Sequence, residues 1–262
     1  MRRAVVSALA ALALAAPLAA QAGQACENKP LAPHEIVLQM DLAQRTVAAL
    51  DASGARVALV ARAGQDLSKY RLRYSHMGIA LRDHPAGRWT VVHELNDCGT
   101  AVSGLYNEGM GNFFLTDLYR AEAQLVIPGI EAQEKLAKLV ATRTPLRLHE
   151  PRYNMLAYVY STQYQNSNQW VLETLAAALA PPGQVETRAE AQSWMRSRGF
   201  QPPTIEVPAA VRLGARMFRA NVAFDDHPFD RRMAGQIDTV STDAVLRLLR
   251  MVDPGMKTQT VD

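Results

Sequence analysis

Residues 74–81 and 89–95 are two short apolar runs, and the seven residues between them include Asp83, Pro85 and Gly87. Turn-forming residues between two β-rich runs predict a β-hairpin. Each run carries a histidine, His76 at the start of the first and His93 near the end of the second. A turn centred on His84–Pro85 sets His76 opposite His93, and a half-residue shift sets it opposite Glu94. Opposed side chains on one face have Cβ atoms roughly 5 Å apart. Either register therefore gives His76 a polar partner, the base-and-orienter half of a nucleophilic site. Tyr74, two residues before His76, is expected on the same face, where its hydroxyl suits an oxyanion.

The hairpin sits in a chain that begins as an exported protein does. Arg2 and Arg3 precede an Ala- and Leu-rich stretch over residues 4–18, and Ala20-Gln21-Ala22 fits the small-x-small cleavage rule. Residues 1–22 are read as a signal peptide cut after Ala22. Lipid attachment at Cys26 is disfavoured, because Gly23-Gln24-Ala25 lacks the usual leucine. No later stretch reaches the ~18 apolar residues of a membrane span. A periplasmic protein without a transmembrane segment is expected. Cys26 and Cys98 are the two cysteines, and an oxidising compartment favours a bridge between them.

Residues 23–262 suit one α+β domain, with 183–262 an irregular and helical extension. The chain is 48% hydrophobic, enough for a core, and carries a net charge of +3. Its basic residues are scattered, which argues against nucleic acid as a partner. Helices are predicted over 33–50, 130–140, 188–198 and 242–251. Strands are predicted over 56–62, 124–127, 154–160 and 204–207. Residues 96–114 and 209–235 read as irregular. In the first helix Ile36, Met40, Ala43, Val47 and Leu50 recur at helical spacing, and in the second Ile130, Leu136, Leu139 and Val140 do.

A polar cluster, residues 164–169, opens a further helix that runs to Pro181. Asn166 or Ser167 suits its N-cap, and Trp170, Val171, Thr174 and Leu175 follow on one face. Asp225, Asp226, His227 and Asp230 are ligand types close together, but without recognised metal spacing. Neither a metal nor a cofactor is expected.

Two resemblances join these features. His76-Met77-Gly78-Ile79 starting a strand, with a polar cluster opening a later helix, resembles the circularly permuted papain-like proteins. These include the NlpC-type peptidases and the lecithin:retinol acyltransferase relatives. The resemblance implies an antiparallel sheet packed against the N-terminal helix and the Ser167 helix. It makes His76 the general base, His93 its partner and Ser167 the nucleophile position, with Tyr74, Asn166 and Asn168 as binding neighbours. Serine stands where the superfamily has cysteine, and a hydroxyl needs its proton removed during attack. The implied activity is amide or ester hydrolysis, or acyl transfer, on cell-wall peptide or lipid. The missing thiol leaves open a catalytically inactive binding protein. A second resemblance, carried by residues 73–79, 83–87, 109–114, 164–171 and 225–228, is to an exported bacterial family, domain-of-unknown-function family 2145.

Overall fold

The structure is a computed structural model that describes residues 30–116 and 118–262. The expected signal peptide, residues 1–22, and Cys26 lie outside the described residues. In chain order the elements are α1 (Pro33–Ser53), β1 (Val57–Ala63), β2 (His76–Leu81), β3 (Thr90–Asn96), β4 (Ser103–Gly109), α2 (Met110–Phe114), β5 (Arg120–Ile127), α3 (Ile130–Val140) and α4 (Thr144–Arg147). They continue as α5 (Ser167–Leu179), α6 (Arg188–Ser197), β6 (Thr204–Glu206), α7 (Ala209–Phe218), α8 (Phe229–Met233), β7 (Gln236–Asp238), α9 (Thr242–Val252) and β8 (Lys257–Val261). The main sheet has the order β4-β3-β2-β1-β5-β8, and every pairing in it is antiparallel. A separate ribbon joins β6 to β7. The chain is thus the α+β protein its sequence predicts. Among the described residues no helix is long and apolar enough to cross a membrane.

Helices cover both faces of the sheet, so its central strands are buried throughout. Alternate residues enter two cores. Val57, Leu59, Ala61, Met77 and Ile79 join Trp170, Leu172 and Leu248 beneath α5 and α9. Ala58, Val60, Ala80 and Val91 join Leu42, Leu50 and Phe113 beneath α1 and α2. A small third core, with Ile205, Phe224 and Ile237, fills the β6–β7 ribbon.

Several expectations change. The hairpin register is Ile79↔Val92, Ala80↔Val91 and Leu81↔Thr90, two residues beyond the His76–His93 pairing and one beyond the His76–Glu94 alternative. Trp89 causes the shift: it takes a left-handed φ of 53°, and its indole donates to Asp51 on α1 at 2.6 Å. The strand therefore starts at Thr90. Residues 96–114 hold β4 and α2, and 209–235 hold α7 and α8. Residues 154–160 are turns with one isolated bridge, Tyr158 with Thr239, not a strand. The C-terminal extension is built into the main fold, since α9 lies in the core with α5 and β8 pairs with β5. On α1 the buried face is Gln39, Leu42, Ala43, Thr46 and Leu50, while Ile36 and Met40 are exposed. Ile130 is also exposed.

Candidate functional site

His76 and His93 do meet. The Nε2 of His76 lies 2.8 Å from Nδ1 of His93, and Nε2 of His93 lies 3.1 Å from Oε2 of Glu108. With Glu108 ionised, His93 donates through Nε2 and accepts through Nδ1, so His76 donates through its own Nε2. Gly78 makes space for the pair: a Cβ there would fall 3.1 Å from the Cβ of His93 and 2.5 Å from Cγ1 of Val91. Phe113 packs on both imidazoles, and the Arg62 guanidinium lies 4.7 Å from its ring and donates to its carbonyl. Burial, then Arg62 and His93, hold the pKa of His76 well below the usual histidine range. Burial also lowers His93, with Glu108 opposing it. Burial disfavours the charged form of both imidazoles, which stand on the sheet face covered by α1 and α2.

Ser167 is elsewhere. Residues 76, 78 and 80 face α1 and α2, whereas α5 packs on the opposite face of the sheet. The sheet stands between His76 and Ser167. Asn166 is the N-cap of α5, its Oδ1 accepting from the Gln169 N–H at 2.9 Å, and its Nδ2 donates to Thr239. Ser167 is the first helical residue, and its Oγ lies 3.4 Å from the hydroxyl of Tyr153. Asn168 donates to the carbonyl of Ser75 at 3.2 Å. Tyr74 does not share the face of His76. It precedes β2 in irregular chain, packs in the α5 core and stands beside Glu122.

A second set of polar groups lies on the α5 side. Ser103, at the start of β4, places its Oγ 3.1 Å from Nε2 of His149. Two backbone hydrogen bonds, Ser103 N–H to Pro151 O and Tyr153 N–H to Ala101 O, form an antiparallel bridge between Val102 and Arg152 and bring the two segments together. Gln165 fixes the His149 segment. Its Oε1 accepts from the Glu150 N–H and its Nε2 donates to Leu148 O and to Glu173. Glu173 in turn holds Arg188 at 2.8 Å, and Arg188 donates to the carbonyls of Ser161, Thr162 and Tyr164. The helix start and the His149 segment are therefore parts of one buried network.

Burial lowers the pKa of His149, which favours its neutral form at pH 7. Burial pushes the Tyr153 hydroxyl up to about 12, which keeps it a donor. Glu94, next to His93 on β3, points to this side. It is fully buried, and burial pushes its pKa up to about 8 against the pull of the Ser103 hydroxyl and of Arg188. Ser103 and His149 carry no local signal in the sequence. Ser103 sits in a stretch that reads as irregular, and 46 residues separate the pair.

The Asp225–His227 cluster is structural. Asp226 accepts from the Tyr158 N–H, His227 bonds the Leu156 carbonyl, and Asp225 accepts from Gln163. Among the described residues no group of three His, Cys, Asp or Glu side chains is placed to hold a metal.

Residues 49–249 match the model of a family described as an uncharacterized protein conserved in bacteria, DUF2145, and the chain belongs to that family. No curated protein and no solved structure matches it.

Proposed function

We propose that this member of the DUF2145 family is an exported acyl hydrolase or acyl transferase acting on an ester or amide of the cell envelope. The observation that carries the reading is the 3.1 Å contact between Ser103 Oγ and His149 Nε2. A hydroxyl needs a neutral base within hydrogen-bond reach, and burial keeps His149 in that form. In the proposed reaction Ser103 attacks the acyl carbon while Nε2 of His149 takes its proton. The imidazolium, favoured by nearby Glu150, then protonates the departing alcohol or amine. Water or an acceptor alcohol resolves the acyl-enzyme by the reverse proton path. Tyr153 and the protonated Glu94 are the uncharged donors on this side of the sheet. A helix start against antiparallel strands, after a strand that begins with histidine, supports the permuted papain-like reading of the fold. In that reading the chemistry has moved from His76 and Ser167 to a serine and a histidine on the α5 side.

The test is labelling with a fluorophosphonate probe, together with hydrolysis of activated acyl esters. Ser103→Ala should abolish labelling, and His149→Asn should slow it by roughly 10³-fold. Labelling that survives Ser103→Ala would overturn the assignment. The alternative is a catalytically inactive binding protein of the periplasm. The 5% exposure of Ser103 favours it, and an unlabelled wild-type protein that still binds envelope material would establish it.

A further inference from the structure

Strand β4 is an edge of the main sheet, and its hydrogen bonds show which of its backbone groups turn outward. Ser103 sends its N–H away from β3, to the Pro151 carbonyl at 2.9 Å, while the Val102 carbonyl turns inward and accepts from the Asp97 N–H at 2.8 Å. Direction alternates along an antiparallel strand. Gly104, Tyr106 and Glu108 therefore bond inward to β3, and Leu105 and Asn107 point outward. Among the described residues no hydrogen bond reaches the outward N–H or carbonyl of either. The segment 151–153 already lies antiparallel on this edge at the start of the strand, through the Val102–Arg152 bridge. Pro151 ends that pairing, because it has no N–H to give the outward carbonyl of Ser103. The chain beside it turns away, with the Glu150 N–H bonded to Gln165. At the other end Met110 starts α2. The open run is thus residues 104–109, and it begins beside Ser103. Its side chains differ by face. Leu105 packs toward the α5 core. Tyr106 and Glu108 lie on the face of His93, where the Tyr106 hydroxyl donates to Asp97 at 3.3 Å. The bond to His93 holds the Glu108 carboxyl below its usual range, and Arg62 adds to this from the buried side.

We infer that residues 104–109 take an extended peptide as a further antiparallel strand, with a basic side chain over Tyr106 and Glu108, and lead its C-terminal end to Ser103. Unpaired N–H and carbonyl groups at strand spacing call for a partner that carries the same groups, which a peptide does and an acyl lipid does not. Asp97, Tyr106 and Glu108 supply two carboxylates and an aromatic face for a cation. A second copy of the chain is a poorer occupant, because the open run is short and is bounded by 151–153 at one end and by α2 at the other. The docking stands on the free edge alone. That the docked peptide is the substrate, an amide and not a lipid ester, rests on the assignment of Ser103.

The experiment is fluorescence anisotropy with a fluorescein-labelled peptide in which lysine alternates with valine, titrated with the Ser103→Ala protein so that turnover does not interfere. Binding should saturate, and a probe with glutamate in place of lysine should bind far more weakly. Asn107→Pro deletes an outward N–H that the fold leaves unused and should weaken binding by about tenfold. Asn107→Ala keeps that N–H and should bind as its parent does. If Asn107→Pro misfolds, the probe carries the same test. N-methylation of alternate peptide residues should weaken binding by about tenfold in one pattern and spare it in the other, because only every second N–H of the added strand faces β4. A probe that does not bind, or that binds equally with both patterns, overturns the docking. So does a concentration-dependent dimer, seen by light scattering, that Asn107→Pro abolishes without any peptide binding. Equal binding of the glutamate probe removes the basic side chain from the inference. Wild-type protein that binds the lysine probe and leaves it uncut overturns the peptide as substrate, while the docked strand stands.

Discussion

The carboxyl of Glu94 and the imidazole of His93 leave adjacent residues of β3 for opposite sides of the sheet. His93 joins a chain of hydrogen bonds from His76 to Glu108. Glu94 is buried toward Ser103 and α5. The two polar sites of the molecule are thus back to back, separated by one strand.

That placement makes Glu94 a determinant of stability against pH. Its pKa is pushed up to about 8 in the folded chain, against an ordinary value of 4.5. Between these values the unfolded chain releases a proton that the folded chain keeps. Stability should therefore fall as pH rises through the window, by on the order of a few kcal/mol. His76 and His93 act at the other end: their pKa values lie below 6.5, so the unfolded chain takes up protons first and stability is lost as pH falls below about 6.5. Urea denaturation of wild type and Glu94→Gln across this range separates the two. The variant should lose the fall in stability toward pH 8, and below 6.5, where Glu94 no longer opposes the histidines, its acid loss should be steeper. An unchanged alkaline slope would mean that Glu94 is ionised in the folded protein.

The Glu173–Arg188 pair should show the asymmetry of buried ion pairs. Both side chains are buried, and Arg188 also holds the carbonyls that lead into α5. Arg188→Leu leaves a buried carboxylate without its cation and should cost about 3–5 kcal/mol. Adding Glu173→Leu should recover much of that loss. Equal destabilisation by the single and double variants would show that Arg188 acts through the carbonyls instead.

The Cys26–Cys98 bridge is a proposal from composition and from the expected export. Non-reducing peptide mapping of periplasmic protein should find the two linked, with a mature N-terminus at Gly23. Two freely alkylated thiols would remove the bridge, and a lipid-modified Cys26 would replace the assigned cleavage. If the bridge forms, reduction should lower stability by about 2–4 kcal/mol.

Much of the fold was legible because its elements bury periodic apolar residues. The strands at β1 and β2, the helix Ile130–Val140 and the α9 stripe of Val245, Leu248 and Leu249 all read directly. The strand β8 did not, because it is an edge strand and only Val261 is buried. The strand β4 was hidden by Gly104 and Gly109 and by its largely solvent-facing side chains. Helix α7 escaped notice because none of its residues is buried. Alternation placed His76, Gly78 and Ala80 on one face, but it cannot say which face a helix 90 residues later will cover. The Ser103–His149 pair depends on the same long-range packing.

Cysteine substitution tests the two faces directly, in protein whose Cys26 and Cys98 are both replaced by Ser. A thiol at Ser103→Cys would stand at hydrogen-bond distance from His149 and should react with iodoacetamide near neutral pH faster than a thiol of pKa ~8.5. Adding His149→Asn should remove that advantage, because no imidazolium remains to stabilise the thiolate. A thiol at Ser167→Cys, at the first residue of α5, gains whatever the helix start supplies. Adding His76→Asn should leave its rate unchanged, since the sheet separates the two side chains. If His76→Asn slows Ser167→Cys while His149→Asn spares Ser103→Cys, the chemistry belongs to His76 and Ser167, and the α5-side assignment fails.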